Sequence, residues 1–188
     1  EAFYFKNRED AKSFLYSSLL KKGDVVAYGG SVTFSKDLNL YQELKENKDY
    51  LLVDREDKNL SVEEINAKTI NSDDFFLSTN ALTLEGELVN IDGRGNRLCY
   101  LTYGPKQVIV LVGRNKIVKD REEALERIHS IAAVKNAIRL NKDTPCVKVG
   151  HCMDCQSKDC ICSSIVITRR SAIPSRIKVL LIDEDLGY

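Results

Sequence analysis

The stretch KQVIVLVG, residues 106–113, carries the longest uninterrupted apolar run of the chain, VIVLV at 108–112. A short apolar run bounded by a glutamine and a glycine is typical of a β-strand that is covered on both faces. The run is far shorter than the roughly 20 apolar residues that a membrane-spanning helix needs. We therefore expect a buried strand at the centre of a sheet and no membrane span.

Strand and helix patterns alternate on the N-terminal side of this stretch. Apolar residues at helical spacing follow the strand-like runs, and Ser61 and Glu64 have the spacing of a helix capping box. The strand-like runs are AFYF (2–5), DVVAYGGS (24–31), DYLLVD (49–54) and DFFLST (74–79), and one of the helical segments is TFSKDLNLYQELKENK (33–48). Repeated strand–helix units predict a largely parallel sheet.

The segment ALTLEGELVNIDGRGNR (81–97) interrupts this alternation. Glu85 and Gly86 lie between two short alternating runs, which predicts a β-hairpin followed by a glycine-containing loop. Asp120 then has the position of an N-cap for a helix over 120–140. Two further strand-like runs follow, SSIVITRR (163–170) and RIKVLLID (176–183).

These patterns and the composition bound the fold and its partners. We expect a single α/β domain over 1–188, with a mostly parallel sheet flanked by helices in three layers and a β-hairpin insertion. Lys and Arg number 28, as do Asp and Glu, so no basic excess exists to bind nucleic acid or an anionic membrane nonspecifically. No basic-then-apolar leader opens the sequence, so we expect a cytoplasmic protein.

The turn YGGSVT (28–33) is the first candidate site. A strand that ends in Gly29 and Gly30 before a helix lets the backbone approach an anion, with the Ser31 and Thr33 hydroxyls as donors. An ordinary strand–helix turn with Ser31 as the helix cap explains the same residues equally well.

A second polar loop lies within STNALTLEGELVNIDGRGNR (78–97). It follows a parallel strand, so it should emerge at the carboxyl edge of the sheet, where open α/β sheets bind ligands. Its candidate substrate-binding residues are Asn80, Asn90, Gly93 and Asn96. Asp92 in this loop and Glu184 after the last strand are the candidate catalytic acids or bases. Simple turn geometry and a solvated acidic terminus are the alternatives.

The segment CVKVGHCMDCQSKDCIC (146–162) contains five of the six cysteines. Cys152 and Cys155 are separated by two residues and can direct both sulfurs at one ion across a tight turn. With Cys146 they supply three of the four ligands that zinc or an iron–sulfur cluster requires. Cys99 stands alone, and we expect it to be a small buried hydrophobic residue.

Cys160 and Cys162 are both candidates for the fourth ligand, and the spacing does not decide between them. His151 is a poorer candidate. Disulfides and free thiols are the alternatives to a metal, but a chain with an adequate core and no secretory signal has little need of bridges. We therefore expect a metal-binding loop at 143–163. Zinc sites usually pair two separated CxxC turns and this segment has one, which favours a four-iron four-sulfur cluster over zinc.

Several ordered motifs together resemble the LUD-domain family of lactate-utilisation proteins, in its short, cysteine-containing form. They are YGGSVT, STNALTLEGELVNIDGRGNR, YGPKQVIVLVGRNKIV, TPC, GHCMDC and EDLGY, and they extend over nearly the whole chain. The resemblance implies a fold like ribose-5-phosphate isomerase, glucosamine phosphate deaminases and CoA transferases, in which the two polar loops border a substrate cleft. It also implies that the metal ligands are Cys146, Cys152, Cys155 and Cys162, with Cys160 as an extra thiol.

The same resemblance implies a link to the oxidation of L-lactate to pyruvate, beside iron–sulfur and oxidoreductase partners. The first hypothesis is a redox-linked protein that holds a four-iron four-sulfur cluster and binds a small carboxylate or a phosphorylated molecule. The second is an isomerase- or transferase-like enzyme acting on a phosphorylated or CoA-type molecule, with a structural metal. The third is a non-catalytic subunit that contacts an iron–sulfur oxidoreductase partner.

Overall fold

The computed structural model describes residues 1–188 and divides the chain into two units, each with its own β-sheet. The first unit comprises Glu1–Ser78, Cys99–Asn115 and Ser171–Gly187. The second comprises Thr79–Leu98 and Lys116–Arg170, together with Tyr188. A single domain over 1–188 stays a prediction.

The sheet of the first unit has six strands, and all its pairings are parallel. The strands are β1 (Ala2–Phe5), β2 (Val25–Tyr28), β3 (Leu51–Leu52), β4 (Asp74–Leu77), β7 (Gln107–Gly113) and β10 (Ile177–Ile182). They lie in the order β1-β10-β7-β4-β2-β3. β7 lies between β10 and β4, and Val108–Val112 have no exposed surface, so the predicted buried strand is confirmed.

Helices and helical turns connect the strands of the first unit. They are α1 (Arg8–Phe14), α2 (Leu40–Glu46), α3 (Val62–Ile70) and the part of α4 (Asn96–Thr102) from Cys99 onward, with π-helical turns at Leu15–Leu19 and Thr33–Asp37. Both capping-box hydrogen bonds between Ser61 and Glu64 are present, as predicted. The prediction of one continuous helix over 33–48 is wrong, because Asn39 adopts a left-handed conformation, with φ 54°, and separates the π-helical turn from α2.

The sheet of the second unit is mixed and has four strands in the order β8-β5-β6-β9. The strands are β5 (Ala81–Thr83), β6 (Leu88–Asp92), β8 (Ile117–Val118) and β9 (Ser164–Thr168). β5 and β6 form the predicted antiparallel hairpin, and Gly86 at its turn has φ 82°, a conformation that favours glycine. β9 pairs antiparallel with the other edge of β6.

Three helical segments pack in the second unit. α5 (Arg121–Arg127) begins at the predicted N-cap Asp120, whose carboxylate accepts hydrogen bonds from the Glu122 and Glu123 amides. A π-helical turn at Ile128–Ala132 joins it to α6 (Ala133–Arg139), and α7 (Pro145–Val149) follows. Ala124, Ile128 and Ala133 pack against Val89 and Ile91 of the sheet. No helix in the chain is long and apolar enough to cross a membrane.

Candidate metal centre

The cysteine loop, residues 143–163, begins with a short helix and continues as irregular backbone to β9. Thr144 occupies the N-cap position of α7, and Pro145 follows at the first helical position, where its missing N–H costs nothing. Gly150 ends the helix with φ 81°, and its N–H donates to the Cys146 carbonyl at 2.9 Å. The helix therefore ends before Cys152, and the other four cysteines of the loop lie on irregular chain.

All five thiols of the cysteine loop line one cavity of about 130 Å³ in the second unit. Apolar residues form other parts of the wall, among them Ile91 of β6 and Val134 and Ala137 of α6, and the half-buried His129 also lines it. None of the six cysteines forms a disulfide. Cys99 belongs to the first unit and is exposed, so the expectation that it is buried is wrong.

Three of the thiols have hydrogen-bond partners beside them in the loop. The Thr144 hydroxyl lies 3.1 Å from the Cys146 sulfur, and the Ser157 hydroxyl lies 3.3 Å from the Cys155 sulfur. The Asp154 amide donates to the Cys152 sulfur at 3.4 Å. These contacts come from residues two positions from each cysteine.

The environments of the thiols shift two of their pKa values in opposite directions. Burial, together with electrostatic repulsion from the neighbouring Cys160, raises the pKa of Cys162 to about 12. The hydrogen bonds from Ser157 lower the pKa of Cys155. A metal that binds Cys162 must therefore displace a proton from it, because thiols bind metals as thiolates.

The five thiols have the chemistry that a thiolate-bound metal requires. Soft thiolates are the ligands that zinc and iron–sulfur clusters take, and five of them share this cavity. The side chains as they stand do not form a group of three or more ligands around one point. Binding therefore requires the thiols to move closer together. The ligand set Cys146, Cys152, Cys155 and Cys162 stays a prediction, because Cys160 lines the same cavity.

The predicted polar loop within 78–97 forms a hydrogen-bonded network in the second unit, in which Asn80 precedes β5 and Asn90 and Asp92 lie on β6. The Asp92 carboxylate accepts from the Arg97 side chain at 3.1 Å and from the Arg94 and Gly95 amides at 3.0 and 2.9 Å. The Asn80 side-chain oxygen accepts from the Ile91 amide at 2.9 Å and from Arg97 at 3.2 Å. The guanidinium of Arg97 thus links two of the predicted site residues.

Asn90 lies in the same network and is fully buried. Its side-chain oxygen accepts from the Asn80 amide at 3.3 Å, which fixes the orientation of the amide group. Its side-chain nitrogen is buried and has no hydrogen-bond partner. A buried donor without a partner costs folding free energy unless another group accepts a hydrogen bond from it.

Gly93 joins the polar loop to the cysteine loop. A Cβ at Gly93 would lie 3.2 Å from Ile161 Cα, so this position has little room for any side chain. The Ser163 amide also donates to the Asp92 carbonyl at 3.1 Å. Asn80, Asn90, Asp92 and Gly93 are therefore in one connected region with the cysteine loop, while Asn96 is the exposed first residue of α4.

The YGGSVT turn lies in the first unit, at the carboxyl end of β2. The Gly29 amide donates to the Phe76 carbonyl at 2.8 Å, and the Ser31 hydroxyl accepts from the Phe34 amide at 3.2 Å. A Cβ at Gly30 would lie 3.1 Å from a guanidinium nitrogen of Arg55. Ser31 therefore caps the following turn, and Thr33 within that turn is buried.

Glu184, the other candidate acid or base, is held by Arg8 in the first unit. Its carboxylate accepts from the Arg8 amide and from Arg8 Nε, both at 2.7 Å. This pairing lowers the pKa of Glu184. The carboxylate is therefore ionised near neutral pH and in that state can accept a proton but not donate one.

Sequence reasoning missed three side chains around the cysteine loop. They are His129, Thr144 and Ser157. A hydroxyl two positions from a cysteine was a readable signal for Thr144 and Ser157. The contribution of His129 had no local signal, because His129 lies in a π-helical turn that ends more than ten residues before the cysteine loop.

Comparison with known proteins gives a family match over almost the whole chain. The family model described as the LUD domain matches residues 1–182. A comparison with curated proteins gives no significant match.

Solved structures give more distant likenesses. A DUF162 family protein from Deinococcus radiodurans has 16% identity and a TM-score of 0.53, over 96% of this chain and 87% of that one, which bears on the fold alone. Ribose 5-phosphate isomerase from Plasmodium falciparum has 16% identity and a TM-score of 0.38, over 68% of this chain and 66% of that one. A D-ribose-5-phosphate isomerase in complex with phospho-erythronic acid has 18% identity and a TM-score of 0.38, over 72% and 66%.

Proposed function

We propose that this chain, which belongs to the LUD domain family, is an iron–sulfur protein linked to the oxidation of L-lactate or a related small carboxylate. The family membership is the one that its sequence motifs predict. In this proposal Cys146, Cys152, Cys155 and Cys162 bind a four-iron four-sulfur cluster, and the polar loop within 78–97 binds the substrate.

One observation carries the metal assignment: all five thiols of the cysteine loop line the same cavity, and none of them is in a disulfide. A bound cluster would supply one-electron transfer. The apolar wall, including Ile91, Val134 and Ala137, would limit the access of water to the thiolates. Burial of this kind is one of the levers by which a protein sets a reduction potential.

The metal assignment is tested by purifying the full chain without oxygen. We expect a brown protein that absorbs in the visible region and contains iron and acid-labile sulfide. A colourless protein with stoichiometric zinc would contradict the iron assignment. A protein that binds neither metal would contradict the metal centre itself.

Single serine substitutions identify the ligands. Each ligand variant should lose most of its iron and its visible absorption, whereas a non-ligand variant should keep both. The expected ligand variants are Cys146→Ser, Cys152→Ser, Cys155→Ser and Cys162→Ser. Cys160→Ser tests the extra thiol, and Cys99→Ser is the matched control, because Cys99 is exposed and lies outside the cavity. Loss in Cys160→Ser with retention in Cys162→Ser would reverse the choice of the fourth ligand.

The unpartnered amide of Asn90 supports the binding of an anionic substrate at the polar loop. A carboxylate oxygen is a suitable acceptor for this buried donor, and the loop contacts the cysteine loop through Gly93 and Ile161. Asn90→Asp keeps the oxygen that accepts from the Asn80 amide but replaces the free donor with a second oxygen.

Calorimetric titration with L-lactate tests this part of the proposal. We expect binding to the unsubstituted protein and strongly weakened binding to Asn90→Asp. Asn71→Asp changes an exposed asparagine in the first unit and should leave binding unchanged. Equal affinity of Asn90→Asp and the unsubstituted protein would exclude this site for lactate.

A further inference from the structure

We infer that Thr144 and Ser157 are positioning residues that donate hydrogen bonds to the thiolates of Cys146 and Cys155 and raise the reduction potential of the metal centre. The inference rests on the proposed function, because it concerns the same thiols. The contacts that carry it are 3.1 Å from the Thr144 hydroxyl to the Cys146 sulfur and 3.3 Å from the Ser157 hydroxyl to the Cys155 sulfur.

Thr144 is unusual for a residue at a helix N-cap. A threonine there normally accepts a hydrogen bond from an amide of the first helical turn. The Thr144 side chain makes no such bond in α7, although it is only 1% exposed. Its hydroxyl contacts the Cys146 sulfur instead, so the helix gives up the usual capping hydrogen bond. Once Cys146 is a thiolate, the hydroxyl must be the donor, because a thiolate has no proton to give.

Ser157 is held in place by the turn that follows Cys155. Its carbonyl accepts a hydrogen bond from the Cys160 amide at 2.9 Å, which fixes the backbone beside the hydroxyl. The third donor, the Asp154 amide, belongs to the backbone and contacts the Cys152 sulfur. The two hydroxyls are therefore the donors that side-chain substitution can remove.

Hydrogen bonds to ligand sulfurs have a defined effect on a thiolate centre. They disperse the negative charge on sulfur, which favours the reduced and more negative state of an iron–sulfur cluster and so raises its potential. They also orient the ligands, and loss of such partners typically weakens metal binding by about 10- to 100-fold.

Redox titration of the loaded full chain, followed by its visible absorption, tests the inference. Thr144→Val keeps the shape of the side chain and Ser157→Ala removes only an oxygen, so both variants should fold. We expect each to shift the midpoint potential to a more negative value, and the double variant to shift it further. Thr144→Ser restores a hydroxyl and should recover most of the shift. Ser163→Ala removes an exposed hydroxyl near the loop and should have no effect.

A second measurement applies if the chain binds zinc rather than iron. Competition with a chelator should then show zinc affinity lowered roughly tenfold or more in Thr144→Val and Ser157→Ala, and nearly normal in Thr144→Ser. A centre that forms normally, with unchanged potential and unchanged affinity in both variants, would overturn the inference while leaving the metal site intact. An unsubstituted protein that binds neither metal would overturn the proposed function, and the inference with it.

Discussion

Asp74 gives the first unit a stability that depends on pH. It is the first residue of β4 and is only 2% exposed. One carboxylate oxygen accepts from the Gln107 side chain at 2.5 Å, and the other has no hydrogen-bond partner. The titratable side chains that interact with it include Asp24, Asp73 and Tyr50. Burial, supported by repulsion from Asp24, raises the pKa of Asp74 from 3.8 to about 7.

The sign of the effect follows from this raised pKa. Between about pH 4 and pH 7 the folded chain retains a proton on Asp74 that the unfolded chain releases, so stability falls as the pH rises through this window. The loss between pH 5 and pH 8 is about 3 kcal/mol, from roughly two pKa units at 1.36 kcal/mol each. Asp74→Asn cannot ionise, so it should remove this loss.

Urea unfolding of the unsubstituted protein and Asp74→Asn, each at pH 5 and pH 8, measures the effect. From pH 5 to pH 8, the unfolding free energy of the variant should rise by about 3 kcal/mol relative to that of the unsubstituted protein. Asp73→Asn is a control that should show almost no change between pH 5 and pH 8, because pairing with Lys106 lowers the pKa of Asp73 from 3.8 and the carboxylate is ionised in both the folded and the unfolded chain throughout this window. A stability difference between Asp74→Asn and the unsubstituted protein that stays constant with pH would show that Asp74 does not titrate between pH 5 and pH 8.

Three further predictions concern the second unit. Gly93→Ala should lower the unfolding free energy by about 1 to 3 kcal/mol, because its Cβ would crowd the Ile161 backbone. The same substitution should speed the loss of iron to a chelator. Urea unfolding and the rate of iron release measure the two effects, and unchanged values would contradict the prediction. Arg97→Met leaves the Asp92 carboxylate without its guanidinium and should cost about 3 to 5 kcal/mol in urea unfolding, so an unchanged midpoint would count against the network. Chelation of the metal should open residues 143–163 to protease before the first unit is cut, and simultaneous cleavage, seen by mass spectrometry, would be the contrary result.

Local sequence patterns predicted the first unit well. An apolar run such as VIVLV can be buried on both faces only inside a sheet, and β7 lies inside one. Helix caps are equally local, so Ser61 and Asp120 were readable from the sequence. The break at Asn39 was not, because a single residue with positive φ leaves the apolar spacing on both sides unchanged.

The second sheet required long-range information. β8 has only two residues, and its pairing with β5 has no local signature. The pairing of β6 with β9 joins segments more than 70 residues apart in the chain. The spacing of the cysteines predicted their shared role. The apolar wall, His129 and the Thr144 contact depend on the positions of α6 and α7, which the spacing alone does not give.

The central claim is that the five-cysteine cavity binds iron and sulfide. It is tested most directly by measuring iron and acid-labile sulfide per chain in the anaerobically purified protein, with the Cys152→Ser/Cys155→Ser double variant beside it. The account predicts about four of each in the unsubstituted protein and almost none in the variant. Equal iron and sulfide in the two proteins, or their absence from both, would contradict it.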